Sequence, residues 1–365
     1  MRQRPRSTIG LLVIGALVAG AAPAASQERT PPPKVRLVAT VGTISNRTGG
    51  RLTAEDLVRS MPGVDQYARP EFEQFANVSS SALTLDQWLQ LSRRVNELFR
   101  NDPDLAGIVV TSGTDTLEET AYFLHLTVRS ERPVVIVGSM RNPSTLGYEG
   151  AANLLEGFRV AADPASRNKG VLVVLNDEIN SAREATKTDA LRLQTFQTRG
   201  YGVLGVVDRD RVVYYRDVLK RHTAASEFDV FAIDRLPRVD VIMTYQDAPG
   251  DLIEAAVDHG AKGIVLATAG AGATSGTQSQ GIDYAIDKGA IVVTGTRTGS
   301  GRIAARGGPM PSRSGNREGS ESQRARFARR VSAEDLAPVK ARILLMLALS
   351  TTDDPARIQR MFVEY

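Results

Sequence analysis

Gly107-Ile108-Val109-Val110-Thr111-Ser112-Gly113-Thr114-Asp115-Thr116-Leu117-Glu118-Glu119-Thr120-Ala121 reads as a strand, a hydroxyl-bearing turn and the opening of a helix. Its first five residues make a short apolar run rich in β-branched side chains, the pattern of a buried strand. Helical periodicity follows from Leu117 to Val128. Thr116 and Glu119 have capping-box spacing, so the turn before the helix is expected to be tightly held. Outward from this unit, Arg36–Val41, Pro133–Gly138 and Gly170–Leu175 repeat the strand pattern, and Leu85–Phe99 has helical period. Strand alternating with helix predicts an α/β fold around a parallel sheet.

The alternation breaks at Arg221–Pro237, which is polar and irregular, and resumes with strands at Val239–Tyr245, Gly263–Thr268 and Ala290–Gly295. Asp251 and Glu254 again have capping-box spacing, and Gly260 suits the end of that helix. These signals place a first domain at 35–220, a linker at 221–237 and a smaller α/β domain at 238–365. Glycine, serine and arginine dominate 299–330 without period, which predicts a long mobile loop. The apolar stretch Val339–Leu349 reads as a core helix.

Residues 1–26 carry Arg2, Arg4 and Arg6, then an apolar run from Ile9 to Ala22, then small residues at Ala24, Ala25 and Ser26. This is the layout of a secretory signal, followed by a proline-rich spacer at 27–34. A soluble periplasmic or secreted protein is expected after cleavage, since no later stretch is long and apolar enough to span a bilayer. With no cysteine in 365 residues, thiol catalysis and thiolate metal sites are excluded. The formal charge is only +4, and the basic excess near Arg297–Arg330 has only Phe327 interleaved, so a nucleic-acid partner is not expected.

In parallel α/β sheets ligands collect at the carboxyl ends of the strands. Hydroxyls crowd those positions here: Thr40 and Thr43 after the first strand, Thr111, Ser112, Thr114 and Thr116 after the second, and Asn176-Asp177 followed by Thr186-Lys187-Thr188-Asp189 after the fourth. Glycine beside the hydroxyls is expected to let a substrate approach the backbone. A threonine hydroxyl is a weak nucleophile that needs a base, and Lys187 can serve if partly desolvated, because burial disfavours its charged form. Asp115 can orient that lysine or bind a substrate ammonium. The same threonines would equally serve as helix caps, with Lys187 a surface charge, and spacing alone leaves both readings open. His125, His222 and His259 read as structural or solvent-facing, and no pair has metal-ligand spacing. The run Ala269-Gly270-Ala271-Gly272-Ala273-Thr274-Ser275-Gly276 misses the dinucleotide fingerprint by one residue and lacks a following Lys-Ser or Lys-Thr.

Ala39-Thr40-Val41-Gly42-Thr43-Ile44 and Val110–Ala121, together with Arg132-Pro133-Val134-Val135, Gly138-Ser139-Met140-Arg141, Thr186-Lys187-Thr188 and Lys340-Ala341-Arg342, resemble the bacterial type II L-asparaginases and glutaminase-asparaginases over nearly the whole mature chain. The resemblance implies a two-domain fold, the larger N-terminal sheet mostly parallel with helices on both faces. It implies hydrolysis of the side-chain amide of L-asparagine, with L-glutamine as a second candidate, without a cofactor or metal. Thr43 then stands at the nucleophile position, while Thr114, Asp115 and Lys187 form the activating cluster. Ser80, with Ser81 beside it, holds the substrate's α-carboxylate, and Asp115 takes its α-ammonium. A homotetramer with sites between neighbouring subunits is also implied. This chain departs from the family at Ser45–Gly50, a short segment without the usual tyrosine, and at Ala271, where the family has asparagine. Val41 replaces a glycine, and the family's neighbour-supplied glutamate has no clear counterpart near the arginine-rich loop. Those departures motivate an alternative reading as an amino-acid-binding or sensing homologue with little turnover.

Overall fold

The computed structural model describes residues 31–40, 42–76, 79–305 and 321–365, and of residues 321–323 the backbone alone. The expected signal sequence, Val41 and 306–320 of the arginine-rich loop lie outside the described residues. Pro32–Tyr365 forms one compact unit. Within it an eight-stranded sheet runs, from one edge to the other, Val212–Tyr214, Gly205–Val207, Glu178–Ser181, Val171–Leu175, Val134–Val137, Leu105–Thr111, Lys34–Ala39 and Arg69–Gln74. The last five of these are parallel. The first three join antiparallel to one another and to Val171–Leu175.

Alternation along the central strands sends side chains to two cores. Leu37, Val109, Val135 and Val174 meet α1 (Ala54–Arg59) and α4 (Gly150–Ala162), whereas Val38, Val110, Ile136 and Val173 meet α2 (Leu85–Asn101) and α3 (Leu117–Thr127). The result is a sheet sandwiched between helices, as the near-continuous apolar strands require. The antiparallel extension departs from the expected site loop at Asn176-Asp177. Both residues have positive φ, 57° and 64°, so they form a two-residue hairpin turn that reverses the chain rather than presenting side chains to a cleft.

The second sheet is four-stranded and parallel, in the order Val239–Met243, Gly263–Thr268, Ile291–Thr296 and Arg330–Ser332. On one face lie α5 (Asp251–Asp258) and α6 (Gln278–Asp287). The loop expected at 299–330 contains a further helix, α7 (Glu321–Ala328), and its end is a strand. Arg326 reaches Asp287 at 2.6 Å and Arg330 reaches Asp283 at 2.6 Å, so the basic residues answer carboxylates on α6. The opposite face carries α8 (Pro338–Leu349) and α9 (Pro355–Glu364). Helix α8 is apolar nearly all round because it is buried on every side: it packs on the small sheet, on α9 and on α3. Residues 221–237 are irregular but not loose, since Phe228, Val230, Ile233 and Leu236 enter the core that Trp88 and Phe123 share with α8. Among the described residues no helix is long and apolar enough to cross a membrane.

Candidate active site

Two strand ends are tied together before any catalytic group is reached. Thr40 Oγ1 donates to the Thr111 carbonyl at 2.5 Å and Thr111 Oγ1 donates back to the Thr40 carbonyl at 2.9 Å, both fully buried. These two hydroxyls are a reciprocal clamp. Immediately beyond them the backbones touch: a Cβ on Gly42 would stand 2.4 Å from Gly113 Cα, and a Cβ on Gly113 would stand 2.6 Å from Ser80 Oγ. The glycines expected to admit substrate are used here for packing one turn on the other. Only residues without a side chain allow so close a backbone approach.

This contact gathers the turn carrying Thr43, the turn carrying Thr114, and Ser80. Thr114 and Ser80 are buried, and Thr43 is half-buried. Ser81, in the same short turn as Ser80, is exposed, its hydroxyl 3.4 Å from that of Ser79. Lys187 arrives from the far side. Its Nζ donates to Thr114 Oγ1 at 3.1 Å and to Asp115 Oδ1 at 2.8 Å. Its side chain is 16% exposed and that of Asp115 is 76% exposed, so the carboxylate faces solvent while the amine is largely enclosed. Among the described residues no side chain hydrogen-bonds the Thr43 hydroxyl.

The segment bearing Lys187 is braced on both sides. Lys187 pairs with Phe196 in a short antiparallel ladder, and the Thr188 amide and hydroxyl both donate to the Thr195 carbonyl. Glu118, which the sequence reading gave no role, accepts from Thr186 Oγ1 at 3.0 Å and from the Lys187 amide at 3.1 Å. Its only sequence signal was its place in the turn-helix motif. Thr116 makes no capping bond to the α3 backbone and its buried hydroxyl has no partner among the described residues, so the expected capping box is absent. The reason is that Glu119 turns toward the second domain, 3.9 Å from Arg342, and burial raises its carboxyl above the ordinary value. The Asp251/Glu254 box is absent too, because Gly250 is the cap and Asp251 already lies in the helix. Capping boxes form instead at Thr53/Asp56 and Thr84/Gln87.

The segment Ser45–Gly50 carries no tyrosine, yet a tyrosine supports it from elsewhere. Tyr148 donates its hydroxyl to the Ile44 carbonyl at 2.8 Å, and Ser144 Oγ accepts from the Thr48 amide at 2.8 Å. The 142–149 loop thus straps the turn that carries Thr43. The histidines stand apart, as expected: His125 is buried and accepts from the Val171 amide at 3.1 Å, His222 is buried beside it with ring centres 5.1 Å apart, and His259 Nδ1 lies 2.8 Å from the Ala255 carbonyl.

Known proteins are similar to this chain in sequence and in fold. Residues 34–220 match the family model described as Asparaginase, N-terminal, and residues 238–362 match the Glutaminase/Asparaginase C-terminal domain. L-asparaginase 2 of Bacillus subtilis is 40% identical over 352 residues, covering 94% of this chain and 89% of the relative. A Haemophilus influenzae protein named probable L-asparaginase periplasmic is 34% identical, covering 91% of this chain and 93% of the relative. The crystal structure of a probable cytoplasmic L-asparaginase from Campylobacter jejuni superposes with a TM-score of 0.80 at 36% identity, covering 92% of this chain and all of that one. Both domain models are matched in order along a chain whose sheets and helices follow the same fold, and the protein belongs to the asparaginase family.

Proposed function

We propose that this protein hydrolyses the side-chain amide of L-asparagine to aspartate and ammonia, with L-glutamine as a second amide, at the cluster of Thr43, Thr114, Asp115 and Lys187. The observation that carries this reading is the Lys187 amine within hydrogen-bond reach of the buried Thr114 hydroxyl. Lys187, acting as general base, takes the proton of a threonine hydroxyl as the oxygen attacks the amide carbon, and the carbonyl becomes a tetrahedral oxyanion. Collapse breaks the C–N bond, and the Lys187 ammonium returns the proton to the departing nitrogen, which leaves as ammonia. Water then attacks the resulting ester, gives its proton to Lys187, and aspartate departs as the threonine hydroxyl is reprotonated. Ser80, with Ser81 at the rim, takes the α-carboxylate, and the exposed Asp115 carboxylate takes the α-ammonium. No cofactor enters any step. Ammonia release from purified mature protein with asparagine, glutamine and small amides tests this; release no greater than that of Thr114→Ala or Lys187→Ala protein refutes it.

Residues 1–26 direct export, 27–34 form a spacer, and the catalytic and second domains meet across 221–237. The name of the Haemophilus influenzae relative supports a periplasmic protein, whereas the Campylobacter jejuni neighbour is titled cytoplasmic. A new N-terminus after Ser26 in protein recovered from the periplasm is the expected outcome. The mature enzyme assembles as a homotetramer; light scattering at the mass of one subunit rather than four would contradict this.

A further inference from the structure

The second domain sends one charged side chain deep into the first. Lys340, in the first turn of α8, is 1% exposed. Its Nζ donates to the Arg183 carbonyl at 3.1 Å and to the Ala185 carbonyl, and lies 3.8 Å from Glu118 Oε2. Residues 183–185 lie outside the strands, so neither carbonyl is engaged by a sheet ladder. The other oxygen of Glu118 holds the Thr186 hydroxyl and the Lys187 amide. One buried pair therefore grips the chain that leads into Lys187 at four points: the carbonyls of residues 183 and 185 through Lys340, and the Thr186 hydroxyl and Lys187 amide through Glu118. Arg183 is itself anchored to Asp335 of the second domain at 2.7 and 2.8 Å.

Burying an ammonium is unfavourable unless hydrogen-bond acceptors and an opposite charge compensate it. Two carbonyls accept hydrogen bonds from Lys340 here, and the Glu118 carboxylate 3.8 Å away compensates its charge as an ion pair without a hydrogen bond. An apolar side chain would fill the same volume without desolvating a charge, so packing by itself does not call for lysine at this position. Its placement makes sense where the geometry of residues 183–187 has to be held closely.

We propose that Lys340 and its partner Glu118 are positioning residues that aim the Lys187 amine at Thr114, so that the second domain completes the first domain's catalytic cluster. The inference rests on Lys187 being the working amine. Misplacing a catalytic group by about 1 Å can reduce the rate on the order of 100-fold, whereas substrate contacts made by Ser80 and Asp115 stay in place. The full mature chain carrying Lys340→Met is compared with wild type in steady-state asparagine hydrolysis. A fall in kcat of roughly 10- to 100-fold is expected with KM changed less than about twofold, partial recovery in Lys340→Arg, and no further loss when Lys340→Met is added to Lys187→Ala. Glu118→Gln, which keeps the volume and an acceptor oxygen but removes the charge, should show the same split. Wild-type kcat in folded Lys340→Met and Glu118→Gln, with Lys187→Ala inactive, overturns the positioning role alone. Loss of activity only in proportion to loss of folded protein in both variants also overturns it, leaving a purely structural pair. Full activity in Lys187→Ala instead overturns the assignment of the amine.

Discussion

Lys187 Nζ donates to Thr114 Oγ1 at 3.1 Å across 73 residues of sequence. Removing either partner removes the proposed proton transfer. Lys187→Met and Thr114→Ala are each expected to lower kcat for asparagine by about 100- to 10,000-fold. The double variant should be no worse than the poorer single one, because the two groups act as a unit. Stopped assays that trap an acyl-protein, followed by peptide mass mapping, identify the attacking oxygen by whether the added mass lies on the Thr43 or the Thr114 peptide. Full ammonia release from Lys187→Met would end the account.

Tyr148 holds the turn bearing Thr43 through the Ile44 carbonyl. A single such bond contributes about 1 kcal/mol, and burial pushes the phenol up to about 12, so it stays a donor across neutral pH. Tyr148→Phe is expected to leave the fold intact while kcat falls several-fold. Unchanged kcat with a turn that exchanges its amide protons no faster would show that Ser144 is brace enough.

His125 and His222 are buried side by side, and burial holds the imidazole of each below the ordinary histidine value, His125 well below it. Both bind a proton less readily in the fold than in an unfolded chain, which takes up their protons near pH 6.5. Their stabilising contribution is therefore complete above about pH 6.5 and is lost as pH falls below it, by up to about 1.4 kcal/mol per pH unit for each group. Urea midpoints measured between pH 7 and 5 should fall, and His125→Gln should flatten that slope while lowering the neutral-pH midpoint. An equal slope in the variant would assign the acid sensitivity elsewhere.

Glu156 runs the other way. Burial, aided by Asp177, pushes its carboxyl up to about 8. A group raised above its unfolded value contributes stability at low pH that disappears as pH rises from about 4.5 through 8. Glu156→Gln keeps an acceptor for the Asp177 amide and removes the buried charge, so it should raise stability at pH 8 by at least about 1 kcal/mol and do little at pH 4. Equal urea midpoints at pH 8 would contradict this.

Much of the fold was legible along the chain because its signals are local. Apolar strands recurring between helical periods announce a layered α/β sheet, and Val110–Ala121 with Thr186-Lys187-Thr188 pointed to the candidate cluster. Local signals also misled: the capping-box spacings at Thr116 and Asp251 do not form boxes, since Glu119 is drawn toward Arg342 and Gly250 takes the cap. The arginines at 326 and 330 looked like a solvated loop because their carboxylate partners on α6 lie some 40 residues earlier in the chain.

The sequence by itself determined the kinds of group available: hydroxyls at strand ends, one lysine after the fourth strand, no cysteine, and the order of strand and helix that makes a parallel sheet. Folding in three dimensions decided which of those groups meet. Thr40 and Thr111 became a clamp, Gly42 and Gly113 a backbone contact, Glu118 and Lys340 the grip on Lys187, and Tyr148 the support beneath Thr43. The physical reason is range. Strand and helix preferences act between neighbours a few residues apart, whereas the bonds that link Thr114, Glu118 and Lys340 to residues 183–187 join residues separated by 68 to 157 positions and exist only once both sheets have packed.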